Sequence, residues 1–115
     1  MRSIEQKICN RVKEMRLFYK DKTVSLSKRD VVSHENGIVY VYLWGTRIAE
    51  VYDDAIILRS GGYRTPTTKS RLNALLRLAN ANLRIYQKNY TWYVWDSVLD
   101  ETVEFHDGIS FERFH

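Results

Sequence analysis

The sequence predicts a single α+β domain in which one antiparallel sheet of about seven short strands packs against two amphipathic helices. Two stretches repeat apolar residues at three- and four-residue intervals, the pattern of a helix with one buried face. The remaining apolar stretches are short, and tight turns between them enforce antiparallel neighbours. The length of 115 residues is that of one domain with a single core.

The first helix is predicted over residues 3–20. Ser3 and Gln6 have the spacing of a capping box, in which each side chain satisfies the backbone N–H of the other residue. An apolar stripe follows at helical spacing, formed by Ile4, Ile8, Val12 and Met15. Cys9 is the only cysteine, so no internal disulfide can form, and we expect a buried, inert thiol.

Strand signals fill residues 23–58 and predict an antiparallel meander. Asn36-Gly37 indicates a hairpin because both residues accept the positive φ of a type I′ turn. Gly45-Thr46 predicts a further turn. Along the strand from 38 to 44 the side chains alternate between an aromatic and an aliphatic face, Tyr40, Tyr42 and Trp44 against Val39, Val41 and Leu43.

The second helix is predicted over residues 66–80. Thr65 can cap it, and Pro66 suits the first helical position, where its missing N–H costs nothing.

Residues 83–114 are predicted to form C-terminal hairpins, with turns at Lys88-Asn89 and Asp107-Gly108.

The charges are unevenly distributed along a chain whose net charge is +4. Residues 55–95 carry seven basic and no acidic side chains, whereas residues 96–115 carry six acidic side chains and one basic one. This division predicts either an anionic partner for the basic segment or internal pairing of the basic segment with the acidic tail.

The segment from Arg59 to Arg71 is the strongest candidate for a binding site. It places basic side chains and hydroxyls at a helix start, where free backbone N–H groups attract anions. A capped helix with solvated charges would give the same pattern. If the site is real, we expect phosphate contacts from Arg59, Arg64, Lys69 and Arg71, hydroxyl donation from Thr67 and Thr68, and base stacking by Tyr63, Tyr90 and Trp92.

No short catalytic motif accompanies this segment. The three histidines lie in separate segments without metal-ligand spacing, and the sequence has neither a Walker loop nor a nucleophile elbow. We therefore expect a protein that is not an enzyme and that needs no metal and no cofactor. A metal-dependent nuclease stays as a third interpretation, since nuclease carboxylates need no short motif.

Residues 61–75 read GGYRTPTTKSRLNAL, and this segment is similar to a motif in small uncharacterised proteins of tailed bacteriophages. The resemblance extends over about residues 38–111 and includes segments similar to 41–49, 86–94 and 105–108. At Trp44-Gly45-Thr46 the sequence departs from the His-Gly-Asn-like triplet expected in those proteins. The resemblance implies a phage origin and brings no activity with it.

The leading hypothesis is a small phage-type accessory protein that binds DNA or RNA without catalysis. The alternative is a protein-interaction module of the anti-defence type, which inhibits or redirects a host factor through the aromatic strand face or the acidic tail. An open edge strand could pair with a second copy, which leaves a homodimer open. No stretch is long enough to span a membrane, and the single cysteine fits a reducing compartment, so the expected location is the cytoplasm, that of the host if the protein is viral.

Overall fold

The computed structural model describes residues 3–17 and 20–112, which form two helices and nine strands. Helix α1 spans Ile4–Leu17 and helix α2 spans Pro66–Ala79. The strands are β1 Lys22–Ser25, β2 Asp30–Glu35, β3 Ile38–Leu43, β4 Thr46–Val51, β5 Ala55–Leu58, β6 Leu83–Lys88, β7 Thr91–Asp96, β8 Glu101–Glu104 and β9 Ile109–Glu112.

The α+β class is confirmed, and the strands divide into two sheets rather than one. The larger sheet has the order β1-β2-β3-β4-β5-β9, and the smaller has the order β6-β7-β8. All neighbouring strands are antiparallel. The two sheets stay separate because β9 occupies the edge of β5 that a continuing sheet would need.

Helix α1 begins one residue later than predicted, and residues 18 and 19 at its expected end lie outside the described residues. The Ser3 hydroxyl accepts a hydrogen bond from the Gln6 backbone N–H at 3.2 Å, which confirms one half of the capping box. The Gln6 side chain instead donates to Asn10 at 3.0 Å. Cys9 is only half-buried, and burial raises the pKa of its thiol, so the neutral form is favoured.

The predicted meander corresponds to strands β1 to β5. Asn36 and Gly37 adopt φ values of 51° and 81° at the β2–β3 turn, which confirms the hairpin. Trp44 and Gly45 form the β3–β4 turn with φ values of 53° and 76°. Trp44 therefore lies in the turn and does not extend the aromatic face of β3.

The C-terminal region differs from the predicted pair of hairpins. Strands β6 and β7 form a hairpin, but its turn residues are Asn89-Tyr90, one position later than expected. The Asp107-Gly108 turn does not pair β8 with β9, and the Asp107 carboxylate instead accepts three hydrogen bonds from the segment that follows β5. The donors are the Ser60 backbone N–H and hydroxyl, both at 2.7 Å, and the Gly61 N–H at 2.9 Å. This anchor delivers β9 to the edge of β5.

The core lies between the larger sheet and the two helices, and it continues beneath the smaller sheet. Alternate residues of β3 are buried against the helices, as are Leu72, Leu75 and Leu76 of α2. Trp92 and Phe105 extend this core under the smaller sheet, with ring centroids 5.6 Å apart in an edge arrangement. Helix α2 thus contacts both sheets, and its opposite side stays open to solvent.

Candidate nucleic-acid interface

The start of α2 has the capped geometry that the sequence predicts. Thr65 is the N-cap, and its hydroxyl accepts a hydrogen bond from the Thr68 backbone N–H at 3.2 Å. Pro66 occupies the first turn. The Thr65 and Thr68 hydroxyls also bond each other at 3.0 Å, and Thr68 is buried. The backbone N–H and the hydroxyl of Thr68 are therefore both engaged in the helix cap, whereas the hydroxyl of the half-buried Thr67 takes no part in the cap.

Two of the predicted phosphate ligands are held by neighbouring groups. Arg59 places Nε and Nη2 at 3.3 Å from Oε1 of Glu50 on β4. Arg64 donates to the Phe105 carbonyl at 3.4 Å, and its guanidinium lies 5.4 Å from the centroid of the Trp92 ring. Both arginines therefore contribute internal contacts that a phosphate would have to displace.

Arg71 is an interior residue, so the expectation that it contacts phosphate is wrong. Its Nε lies 2.7 Å from Oδ1 of Asp30, and its Nη1 lies 3.3 Å from Oε1 of Glu5. Only 5% of its surface is exposed. A hydrogen bond from the Ser70 hydroxyl holds the pKa of Glu5 below its ordinary value, against the effect of partial burial and with a smaller contribution from Arg71. The three charged groups tie α1, α2 and β2 together.

The three residues predicted to stack on bases differ in how far they are exposed to solvent. Trp92 is 1% exposed, so its expected role in base stacking is wrong. The reason is the register of β7, in which Trp92 and Val94 face the core. Tyr63 and Tyr90 are exposed, and Tyr90 is 95% exposed at the tip of the β6–β7 hairpin.

Lys69 belongs to a cleft that the sequence did not single out, and we call it the basic groove. It has a volume of about 540 Å³ and runs between α2 and β6. Its cations form no ion pair with any carboxylate in residues 3–17 or 20–112. These cations are Lys69 and Arg77 of α2 and Arg84 of β6.

Asn73 fixes the position of β6 beside α2. Its side-chain amide donates to the Ile85 carbonyl at 2.9 Å, and its side-chain oxygen accepts from the Ile85 N–H at 2.7 Å. This pair of bonds joins the wall formed by α2 to the wall formed by β6. Arg84, the neighbour of Ile85, is thereby held across the groove from Lys69 and Arg77.

The outer side of the smaller sheet carries aromatic and basic side chains on β6 and β7, which we call the aromatic face, and Glu104 of the edge strand β8 lies opposite Tyr93 on the same side. Because Ile85 points into the core, Arg84, Tyr86 and Lys88 point outward. The register pairs these three with Trp95, Tyr93 and Thr91 of β7. The Tyr86 and Tyr93 rings stack with centroids 5.6 Å apart and planes at 28°. Arg84 belongs to both the aromatic face and the basic groove, so the two surfaces are continuous.

The aromatic face of β3 is different, because an arginine covers it. The Arg47 guanidinium lies 4.1 Å from the Tyr40 ring centroid and 5.6 Å from that of Tyr42. It also donates a hydrogen bond to the Tyr42 hydroxyl at 3.1 Å, which raises the pKa of Arg47. Arg47 thus covers the rings of Tyr40 and Tyr42, whereas no arginine or lysine of the described residues lies over the rings of Tyr86 and Tyr93 on the smaller sheet.

Within the described residues no ion pair joins the basic segment to the acidic tail, and the one electrostatic link is the charge of Arg64, which helps to lower the pKa of Asp107. The ion pairs of Arg59 and Arg71 lead to acidic side chains from the first half of the chain. Among residues 96–112, Asp107 binds backbone donors, and Asp100 accepts from the Trp95 indole N–H at 3.0 Å. The predicted internal pairing is therefore not found there, and the cations of the basic groove face solvent.

Arg77 and Arg84 contribute to the basic charge of residues 55–95, but no sequence motif predicted that they belong to a binding site. The helical periodicity of α2 and the alternation of side chains along β6, taken together, could have identified these two residues. Lys69 and Arg77 share one side of a helix, while Arg84, Tyr86 and Lys88 alternate along the next strand.

Among residues 3–17 and 20–112, no group of three His, Cys, Asp or Glu side chains is placed to hold a metal ion. Neither helix is long and apolar enough to cross a membrane.

The fold and this surface define a small α+β protein with segregated surface charges. Residues 1–112 match the family model of the Kyanoviridae Gp96 protein, so the chain belongs to this family. The family is a phage family, which confirms the phage origin implied by the resemblance. The role of the 61–75 motif stays a prediction. No curated protein and no solved structure matches the chain.

Proposed function

We propose that this phage protein binds single-stranded nucleic acid, without catalysis, through the basic groove and the aromatic face. The observation that carries the proposal is the position of Arg84, which joins a groove of unpaired cations to a sheet surface with stacked tyrosines. Phosphate attraction and base stacking are the two interactions by which proteins hold single strands.

The groove supplies the phosphate contacts. Lys69, Arg77 and Arg84 have no acidic neighbour in the groove lining, and Lys88 continues the same charge along β6. The opposite edge of the smaller sheet carries Glu101 and Glu104 on β8, which repel phosphate. The backbone of a bound strand would therefore follow α2 and β6 and keep away from β8.

The aromatic face supplies the base contacts. Tyr86 and Tyr93 are half-buried and fixed by their mutual stacking, so they offer a ring surface without losing rotamer freedom on binding. Tyr90 adds an exposed ring at the hairpin tip. Stacking needs unpaired bases that can turn toward the sheet, so the proposal favours single strands over duplexes. The host cytoplasm, where phage nucleic acid is copied, is the proposed location.

A fluorescence-anisotropy titration tests this function with labelled single-stranded and double-stranded oligonucleotides of equal length. We expect tighter binding of the single strand and weaker binding as salt rises. Replacement of both Tyr86 and Tyr93 by leucine should reduce single-strand affinity by about 30-fold or more, since stacking contributes ~1–3 kcal/mol per base. Replacement of Tyr40 and Tyr42 on the larger sheet is the matched control. Absence of binding at low salt would refute the proposal.

A second function, docking of a host protein, is supported by a different surface. Val98 and Leu99 in the β7–β8 connection and Val103 on β8 are exposed apolar side chains among acidic residues. Such a patch suits a partner with apolar and basic side chains. Binding of one host protein that persists at high salt and is lost on replacing Val98 and Leu99 by serine would favour this function.

A further inference from the structure

A second concave site lies beside the start of α2, separate from the basic groove. It is a pocket of about 420 Å³ between the β3–β4 turn and the segment that follows β5. Its floor is apolar and buried, formed by Leu43 and Ile48. The exposed rings of Trp44 and Tyr63 stand at its edge, and Thr46 and Thr67 line its wall. The volume lies in the range of small-molecule sites, about 300–1,000 Å³.

The segment that follows β5 is held firmly beside the pocket. Asp107 binds the backbone of Ser60 and Gly61, and the Tyr63 N–H donates to the Ser60 carbonyl at 3.1 Å. A side chain at Gly61 would place its Cβ 2.3 Å from Cγ2 of Thr46. Glycine is therefore required for this segment to approach β4, and the approach sets the width of the pocket.

Trp44 is placed against the ordinary preferences of its position. Its φ of 53° lies in the left-handed region, where a type I′ turn favours asparagine, aspartate or glycine. A bulky side chain is uncommon there, and its ring is 69% exposed, so core packing does not offset the strain. A bulky residue that adopts a strained backbone conformation and gains no core packing in return points to a role in binding.

The chemistry of the lining limits what the pocket can hold. None of the described residues that line it is charged, which disfavours an ionic ligand. The Thr46 and Thr67 hydroxyls form no hydrogen bond with residues 3–17 or 20–112, and a hydroxyl can both donate and accept. Flat rings at the edge and such hydroxyls on the wall suit a neutral planar ring with donors and acceptors on its rim.

We propose that this pocket takes one unpaired nucleobase of the strand that the basic groove binds. The inference rests on the proposed function and assigns it a base-specific site. The first turn of α2 connects the two places, because Thr67 lines the pocket and Lys69 lines the groove. Because the two places share this turn, we expect a strand whose phosphates follow the groove to bring one nucleotide to Trp44 and Tyr63.

Uncharged nucleosides are the probes that test the pocket alone, because they carry no phosphate. Titration of the ¹⁵N-labelled protein with adenosine, guanosine, cytidine and uridine is followed by NMR. We expect at least one nucleoside to give saturable shifts confined to residues 43–48 and 60–68. The absence of saturable shifts there with all four would overturn the proposal.

Trp44→Asn separates binding from a role in the turn. Asparagine before Gly45 suits the type I′ turn, so this variant should melt at the wild-type temperature or above it. Loss of the ring should weaken nucleoside binding by about tenfold. Thr67→Val, which replaces the hydroxyl by a methyl group of similar size, should weaken binding of the preferred nucleoside several-fold. Unchanged affinity in both variants would overturn the proposal.

Nucleoside binding and oligonucleotide binding together distinguish the failure of the base pocket from the failure of the single-strand function. Nucleoside binding without oligonucleotide binding would show that the pocket holds a nucleobase, but it would refute the single-strand function and with it the bound strand as the source of that base. Salt-dependent oligonucleotide binding without nucleoside shifts would sustain the function and refute the pocket.

Discussion

Arg71 and Asp30 form a buried ion pair, in which Nε of the arginine lies 2.7 Å from Oδ1 of the aspartate. The two residues are 5% and 2% exposed and join α2 to β2. Glu5 of α1 completes the cluster through Nη1 of Arg71. Arg71, one of the four predicted phosphate ligands, is thus part of the core, and the phosphate contacts that we propose on α2 come from Lys69 and Arg77 instead.

Replacement of Arg71 by methionine should lower the free energy of unfolding by about 3–5 kcal/mol, because it leaves Asp30 buried without its partner. Arg29 lies 4.0 Å from the same carboxylate and is largely exposed, so Arg29→Gln is the control and should change stability by less than about 1 kcal/mol. Urea unfolding measures both. Equal, small effects of the two substitutions would contradict the structural role of Arg71.

The position of Arg71 illustrates what sequence patterns could and could not predict. Spacing and capping residues predicted both helices, since a helix is specified by neighbours within four positions. The Asn36-Gly37 hairpin followed from the φ preference of two adjacent residues. The partner of Arg71 is Asp30, 41 positions away, and no local pattern reveals whether a basic side chain of a helix start faces such a carboxylate or solvent.

The path of the C-terminal strand was also beyond local patterns. Asp107-Gly108 is a turn signal, and the sequence predicted a hairpin between the adjacent strands. The strand pairs with β5 because the Asp107 carboxylate binds Ser60, 47 positions earlier. The basic groove also depends on a contact between separate elements, which local patterns do not predict. Asn73 of α2 binds the backbone of Ile85, and this contact places Arg84 across the groove from Lys69.

Asp107→Asn should destabilise the protein by about 1 kcal/mol at pH 7, a modest effect because the carboxylate is partly solvated. Burial raises the pKa of Asp107, but hydrogen bonds from Ser60 and Gly61 and the charge of Arg64 outweigh it and lower the pKa below its ordinary value. A lowered folded-state pKa contributes stability above the unfolded pKa, and the contribution is lost as pH falls through the folded pKa.

The difference in unfolding free energy between wild type and Asp107→Asn should therefore be constant from pH 5 to 7. It should shrink as pH falls below about 4. Denaturant titrations at several pH values measure this difference. A difference that grows toward low pH would show that the carboxylate is not stabilised in its charged form.

Trp92 carries a buried indole N–H that finds no hydrogen-bond partner among the described residues. Trp92→Phe removes this unpaired donor together with part of the ring, so the two effects oppose each other and the loss should stay near 1 kcal/mol. Trp92→Ala empties the site beside Phe105 and should cost about 3–5 kcal/mol. Thermal or urea unfolding compares the two. A phenylalanine variant as unstable as the alanine variant would mean that the N–H is satisfied.

The salt dependence of single-strand binding shows whether the basic groove is the surface that contacts phosphate. The slope of log K against log salt concentration is measured for the wild type and two triple glutamine variants with the same net charge. One variant neutralises the basic groove, and the control neutralises three exposed lysines near β1. The groove variant changes Lys69, Arg77 and Arg84, and the control changes Lys20, Lys22 and Lys28.

Each phosphate contact on a single strand contributes about −0.7 to the slope, so loss of three contacts should reduce its magnitude by about 2. The control should keep the wild-type slope and an affinity close to that of the wild type. If both variants have the same slope and affinity, the basic groove is not the phosphate-binding surface and the account is wrong.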